Sequence, residues 1–513
     1  ASHTFVTGST GTGKSNAVYH LLDEITKDGQ TTFLVVEPAK GEYKNVFGNC
    51  TDVQVFGTNP RETPLLRMNP FAFPENIHIL EHIDRLVEIF NACWPMYAAM
   101  PAVLKDAIER SYQKVGWDLR NSESEKGIFP TFFDLLDILP GVIEESHYSK
   151  DTQSDYVGAL CTRVKSLTNG IYGSVLCAED ALTDEALFDR NVIVDLSRVG
   201  SMETKSLLMG ILVMKLQEYR MCSSGMNSRL RHVTVLEEAH NLLRKTSAEQ
   251  SQEGANLQGK SVEMLANAIA EMRTYGEGFI IADQAPGLLD MSVIRNTNTK
   301  IILRLPDEED RKLVGKSAAL KEAQIDELSK LPLGVAAVYQ NEWPEAVLCK
   351  IEAYPMPENA VYHKPSKMPH EINAEFVFGQ LAVGKELEPL SSSEMEQLKL
   401  WLKRHETVLK PEDSRYLERV FAGGELDVAK TRKAVFDFFG GIGTVVDYCA
   451  AAKKSLTPRK EFLEQLQGQY GLKAAAADWV LNSVISMGMS LNPDAKAVDN
   501  LRTNFEQQGG RVL

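Results

Sequence analysis

Three things are scarce in this sequence of 513 residues, and each scarcity removes a class of function. No stretch approaches eighteen uninterrupted apolar residues, which excludes a simple helical membrane span, so no integral membrane segment is expected. The amino terminus lacks the charged-then-apolar layout of a secretory peptide, and the expected location is cytoplasmic. Cysteine is sparse. The seven (Cys50, Cys93, Cys161, Cys177, Cys222, Cys349 and Cys449) are odd in number and never in CxxC spacing, which argues against a disulfide frame or a zinc site and for small, reduced, buried side chains. Positive charge is in deficit: a formal net charge of −15 excludes a protein that coats nucleic acid with its whole surface. It leaves room for a ring that grips a strand through a few residues in a central pore. Internal repeats and low-complexity tracts are also missing.

What is present is a globular composition, 43% hydrophobic and 24% charged, with enough length for one large domain and at least one smaller one. Ala1 is followed almost at once by a core strand, the pattern of a chain that begins before Ala1. Residues 3–7 form a short apolar run that ends in GSTGTGKS, and 16–25 then show helical periodicity. A second buried strand is expected at 33–36, followed by the turn-rich PAKGEYK. This spacing fits a βαβ unit in a parallel sheet. Between 59 and 190 the pattern becomes long amphipathic helices broken by prolines. Ile79, Ile83, Leu86, Val87 and Phe90 fall on one face, as do Leu104, Ala107 and Ile108. A mostly helical insertion is expected there. Strand signals return at 191–195, 232–236, 279–282, 301–305 and 334–339, with helical runs between most of them, so the fold class is α/β and doubly wound. The core is expected to span 1–352, a proline-dotted linker or strap 353–390, and a helical carboxyl-terminal domain 391–513.

The strongest chemical signal is Gly8-Ser9-Thr10-Gly11-Thr12-Gly13-Lys14-Ser15, a GxxxxGK[ST] loop between strand and helix, continued by Asn16. Its glycines let backbone N–H groups and the helix amino terminus surround phosphates. Lys14 is expected at the β- and γ-phosphates of ATP and the Ser15 hydroxyl on Mg²⁺. Hydrolysis needs further acids, one to hold the metal and one to orient the attacking water. Glu237 and Glu238, following the strand VTVL, point in different directions. Glu237 is assigned to Mg²⁺ and Glu238 to the water, with Asp195 after VIV as the rival or a strand-capping residue. Gln284 in FIIADQAPG is placed to sense the γ-phosphate, or else is a loop amide. Arg273 and Arg304 are candidates to reach a phosphate across a subunit boundary.

Taken together, GSTGTGKS, VVEPAKGEYK, VLEEAHNLL, EMRTYGEGFIIADQAP and NTNTKIILRLPDEEDRKLVG resemble the HerA–FtsK superfamily of ring ATPases, over roughly 1–352. The resemblance implies a RecA-like fold, a homo-hexameric ring and ATP-driven movement of double-stranded DNA through the pore. It implies that Lys14 and Ser15 are the P-loop pair, Glu238 the catalytic glutamate, Gln284 the sensor and Arg273 the preferred finger, with Arg304 second. Glu37 matches an acidic position where relatives usually carry aspartate before a glycine–glutamate turn, here Gly41 and Glu42. Two departures stand out: Glu237 occupies a position where aspartate is common, and no β-barrel precedes the P-loop. The polar loop 245–260 is a candidate pore loop that follows a phosphate backbone, or else a surface loop.

The leading expectation is a HerA-like DNA translocase or helicase, with a nuclease or other effector partner in DNA processing or phage defence. A conjugation or type IV secretion ATPase is the second reading. The third is a nucleotide-gated assembly scaffold with slow or no hydrolysis, which the Glu237 substitution keeps open.

Overall fold

The structure, a computed structural model, describes residues 2–27, 29–97, 99–124, 128–178, 181–246, 257–356, 360–364, 411–421, 427–453, 457–470, 474–492, 494–510 and 512. The chain divides into two compact units, Ala1–Pro365 and Ser366–Leu513.

The first unit is built on a sheet of nine strands: β1 (Thr4–Thr7), β2 (Thr32–Glu37), β3 (Val53–Gly57), β6 (Asn191–Asp195), β7 (His232–Glu237), β8 (Glu277–Asp283), β9 (Thr299–Ile302), β10 (Val335–Gln340) and β11 (Val347–Lys350). β4 (Trp117–Asp118) and β5 (Glu123–Ser124) form a separate small hairpin. The order across the large sheet is β11-β10-β9-β1-β8-β7-β2-β6-β3. The strands from β9 to β3 in that order are parallel, whereas β10 runs antiparallel to β9, and β11 to β10.

Both faces of the parallel strands are covered, which is why they read as unbroken apolar runs rather than alternating ones. Phe5, Leu34, Val36, Val192, Val194, Phe279 and Ile281 face one cluster. Val6, Phe33, Val35, Ile193, Ile280 and Ala282 face the other. The period-two split along each strand assigns one set to each face. The helix Lys14–Thr26 covers the second face through Ala17, Val18 and Leu22. The helices Ile79–Cys93, Met202–Ser223 and Leu257–Glu271 join the first cluster.

Residues 59–190 contain the helices Ile79–Cys93, Met100–Lys114 and Phe132–Glu145 and several shorter ones, together with the β4–β5 hairpin. Ile79, Ile83, Leu86, Val87, Phe90, Leu104, Ala107 and Ile108 are all buried, as helical periodicity predicts. Two strands escape the sequence pattern. β3 and β11 are the two sheet edges, short and packed on fewer sides; β11 is mostly exposed. β9 is shorter than expected, because Leu303 and Arg304 leave the ladder toward the P-loop. A six-residue connection joins β10 to β11, too short for the crossover that parallel pairing requires, so the sheet ends in a hairpin.

A buried charge network closes the amino-terminal edge. Glu277 at the start of β8 accepts from Arg220 Nε at 2.9 Å, lies 2.8 Å from His232 Nδ1, and accepts from Thr234 Oγ1 at 2.8 Å. Arg220 also reaches Asp189 and the Phe188 carbonyl. Burial pushes the Glu277 carboxyl up, but His232 and Arg220 outweigh it and hold it below its ordinary value.

The first unit extends past residue 352. Asn16 Nδ2 donates to the Glu352 carbonyl at 2.9 Å, and Tyr354 N donates to Asn16 Oδ1 at 2.7 Å. Tyr354 meets Tyr19 and His20 edge-on. Tyr362 N and His363 N donate to Asn45 and Asn49. The described part of the expected strap, 353–356 and 360–364, is thus bonded across the helix that begins at Lys14 and the short helix Tyr43–Phe47. The rest of 353–390, and 391–410 of the expected carboxyl-terminal domain, lie outside the described residues.

The second unit shows six helices among the described residues: Pro411–Phe421, Val428–Phe438, Gly441–Ala452, Pro458–Tyr470, Ala474–Leu491 and Ala495–Gln507. Their shared core includes Leu417, Val435, Phe438, Tyr448, Val480, Ile485 and Phe505. No single helix among the described residues is long and apolar enough to cross a membrane.

Truncating Glu277 leaves the Arg220 guanidinium buried beside only its remaining partners. Glu277→Ala is expected to destabilise the first unit by about 3–5 kcal/mol, seen as a lowered calorimetric unfolding midpoint; an unchanged midpoint would contradict this account of the edge.

Candidate nucleotide-binding site

Gly8–Ser15 connects β1 to the helix Lys14–Thr26 at the carboxyl edge of the parallel strands. Gly11 (φ +76°) and Gly13 (φ +102°) sit in the left-handed region, with Gly13 capping the helix. A Cβ on Gly8 would lie 2.7 Å from both Leu303 Cβ and Thr12 Oγ1, so that position has no room for a side chain. The loop is braced at its base. Ser9 N donates to the Arg304 carbonyl at 3.0 Å, Thr12 Oγ1 to the Ser9 carbonyl at 2.7 Å, and Gly334 N to the Thr12 carbonyl at 3.4 Å. The result is a rigid backbone turn opening onto a helix amino terminus, the arrangement that favours an anionic ligand.

Lys14 leans toward the end of β7, with Nζ 3.1 Å from Glu238 Oε1 and 3.8 Å from Glu237 Oε2. The two adjacent glutamates therefore converge on one cation while their remaining oxygens diverge. Glu237 Oε1 accepts from Tyr43 Oη at 2.5 Å. Glu238 Oε2 is buried and makes no hydrogen bond among the described residues, with His240 Nδ1 3.6 Å away. Burial raises the Glu237 carboxyl above its ordinary value, against Lys14 and the Tyr43 hydrogen bond, which pull it down. Glu238 has φ +45° and ψ +51°, an unusual conformation for a side-chain-bearing residue that costs about 1–3 kcal/mol and clusters at functional sites.

The strand-end acids divide into two kinds. Glu37 accepts from the backbone N–H groups of Glu42 (2.7 Å) and Tyr43 (3.1 Å), so it fixes the Gly41–Tyr43 turn. Asp195 binds Lys44 Nζ at 2.6 Å and the Ser197 N–H at 2.9 Å; burial pushes it up, but these partners hold it below its ordinary range. Asp195 thereby caps the turn at Ser197 and pairs with Lys44, whereas Lys14 of the P-loop pairs with the two glutamates. At the end of β8, Asp283 accepts from the His240 backbone N–H at 2.8 Å and lies 2.9 Å from His240 Nδ1. That contact raises the His240 imidazole above its ordinary value, against burial.

Gln284 follows Asp283, and its Oε1 accepts from Thr10 Oγ1 at 2.8 Å, which joins the sensor position directly to the P-loop. Of the remaining expected site residues, Asn16 and Arg304 adjoin the P-loop and Arg273 does not. Asn16 spends its side chain on Glu352 and Tyr354 and so turns its amide away from the loop. Arg304 is exposed beside the loop, its carbonyl bracing Ser9. Arg273 is exposed in the turn Met272–Tyr275 before β8. Seven residues of strand, roughly 20 Å, separate it from the carboxyl edge of its own subunit. Of the polar loop 245–260, residues 247–256 lie outside the described residues.

A family model described as the helicase HerA central domain matches residues 1–216, which hold this P-loop. Residues 1–216 carry a HerA-like P-loop ATPase domain. It is similar to a probable helicase of Methanocaldococcus jannaschii, 23% identical over 381 residues, and to the DNA double-strand break repair helicase HerA of Sulfolobus acidocaldarius, 25% identical over 367 residues. Each alignment covers 69% of this chain, and the chain spans 66% and 65% of those relatives' lengths. Among solved structures, VirB4 of Thermoanaerobacter pseudethanolicus aligns with a TM-score of 0.53 and 18% identity, covering 69% of this chain and 90% of that one. The conjugative coupling protein TrwB aligns with a TM-score of 0.50 and 14% identity, covering 71% and 88%. The fold shared with these structures is RecA-like.

Three polar residues of the site were not singled out from the sequence: Tyr43, His240 and Asp283. Each stands inside a motif already quoted, but their partners are distant in sequence, so only the fold reveals what they touch. Glu237 and the Ser15 hydroxyl are hard oxygen donors of the kind Mg²⁺ takes, and Glu238 carries a buried oxygen that makes no hydrogen bond among the described residues.

Burial lifts Glu37 to about 7, against its two backbone hydrogen bonds. The folded chain therefore holds a proton on Glu37 between about pH 4.5 and 7 that the unfolded chain releases, so this group's contribution to stability falls as pH rises through that window. Glu37→Gln is expected to flatten that part of the stability curve, measured as the difference in unfolding midpoint between pH 5 and pH 8. An identical difference in both proteins would refute the assignment.

Proposed function

We propose that this chain is the motor subunit of a homo-hexameric ring in the cytoplasm that hydrolyses ATP with Mg²⁺ to translocate or unwind double-stranded DNA. It would act with a nuclease or other effector protein in DNA processing or phage defence. The convergence of Lys14, Glu237, Glu238 and Gln284 on one loop at the ends of β1, β7 and β8 carries the reading. DNA as the substrate is supported by the printed name of the HerA relative, and the effector by family analogy alone.

Each side chain has a role in that chemistry. The P-loop backbone cradles the phosphates and Lys14 neutralises the β- and γ-oxygens, exchanging its contact with Glu238 for phosphate. Ser15 and Glu237 would hold Mg²⁺, which when bound would offset the negative charge of the phosphates. Glu238, released from Lys14, orients the attacking water through a carboxylate whose second oxygen is already unpartnered, and accepts its proton. Gln284, tethered to Thr10, registers the γ-phosphate through the loop itself. Arg273 lies on the edge of the sheet opposite its own site, so it can serve only a neighbour's, which favours it over Arg304 as a finger acting between subunits.

The fold it shares with VirB4 and TrwB keeps a conjugation or secretion ATPase as a second reading. The same assay separates the two. Steady-state ATPase activity of the purified protein is expected to rise with linear double-stranded DNA. It should fall roughly a hundredfold or more in Glu238→Gln and about a thousandfold in Arg273→Ala. Turnover indifferent to DNA would move the reading to secretion, and nucleotide binding without turnover to a scaffold.

A further inference from the structure

The turn after β2 carries a tyrosine that is only 1% exposed and whose hydroxyl lies at the metal-holding acid. Three observations define its setting. The turn is fixed at its base, because both oxygens of Glu37 bind successive N–H groups, at Glu42 and at Tyr43 itself. Gly41 adopts φ +68°, where a Cβ would stand 3.1 Å from Ser197 Oγ and 3.2 Å from Asp195 Oδ2. The ring is wedged edge-on against Tyr19, with centroids 5.0 Å apart and planes at 81°. The phenol oxygen therefore has little freedom, and it donates to Glu237 Oε1 at 2.5 Å while Glu237 Oε2 faces Lys14 at 3.8 Å.

We propose that Tyr43 is a positioning residue for the metal site: its hydroxyl occupies one oxygen of Glu237 and so presents the other toward the P-loop. The inference rests on the assignment of Glu237 to Mg²⁺. A glutamate carries one more rotatable bond than an aspartate, and an unrestrained carboxylate at this strand end would sample several positions. The Tyr43 hydroxyl removes that freedom. Hydrogen bonds of this kind to metal-holding carboxylates typically change metal affinity or activity by about 10- to 100-fold when removed. A tyrosine that merely satisfied its own buried hydroxyl would affect stability and nothing else.

The two roles separate in one experiment on the full chain. Mn²⁺ binding to the protein saturated with a non-hydrolysable ATP analogue is titrated by electron paramagnetic resonance for wild type, Tyr43→Phe, Glu237→Gln and Glu237→Asp. Metal-free analogue affinity and the unfolding midpoint are measured alongside. Tyr43→Phe should weaken Mn²⁺ by about tenfold, with metal-free affinity for the analogue unchanged. In the Glu237→Asp background, whose shorter side chain does not reach the phenol, Tyr43→Phe should have no further effect. A lowered unfolding midpoint with an unaltered Mn²⁺ titration would overturn the proposal. If Glu237→Gln weakens Mn²⁺ and Tyr43→Phe does not, the positioning role alone fails. If Glu237→Gln also leaves Mn²⁺ unaffected, the metal assignment of Glu237 fails and the proposal falls with it.

Discussion

One cation between two adjacent carboxylates is the constraint around which the first unit is arranged. Lys14 stands within 4 Å of both Glu237 and Glu238, and all three side chains are largely withdrawn from water. Two neighbouring acids in a poorly solvated strand end repel each other and lose hydration, so each needs a compensating partner. Lys14 serves both. Tyr43 adds a donor to one of them, and the left-handed backbone at Glu238 turns the second carboxylate aside so that the pair need not share the same space.

The sheet order makes this meeting possible. β8 lies between the P-loop strand β1 and the glutamate strand β7, so a third strand end, carrying Asp283 and Gln284, is inserted between loop and acids. Asp283 anchors His240 just beyond the glutamates, and Gln284 bonds Thr10 of the loop. A side chain from every one of the three parallel strand ends, or from the turn just past it, therefore touches a neighbour's. The opposite edge is held by different means, a fully buried cluster around Glu277, which is consistent with a scaffold that is stiff at one edge and reactive at the other.

Much of this could be read from residue order. The P-loop announces itself because its glycines and lysine are contiguous, and the buried strands because doubly covered β-structure is apolar without alternation. β3 and β11 were illegible for the converse reason: edge strands are short, and half of their surroundings is solvent. The same limit applied within the site. Glu237 and Glu238 could be recognised as a pair after a strand, but Tyr43 Oη meets Glu237 across 194 positions of sequence, and the pairing of Asp195 with Lys44 spans a similar distance. Arg273 is the instructive case: the strand expected at 279–282 already set it apart from Gln284, and the structure places that full strand between Arg273 and the carboxyl edge.

Residues 352–356 leave the sheet by crossing the P-loop helix, and Asn16 bonds them twice, through both ends of one amide. Asn16 is the immediate neighbour of Ser15. The backbone just past β11 thus runs over the first turn of the helix that begins in the P-loop. Tension drawn from beyond residue 364 would load Asn45 and Asn49 first, through Tyr362 and His363, and the amide of Asn16 next, so a pull on this end of the chain ends on the immediate neighbour of Ser15.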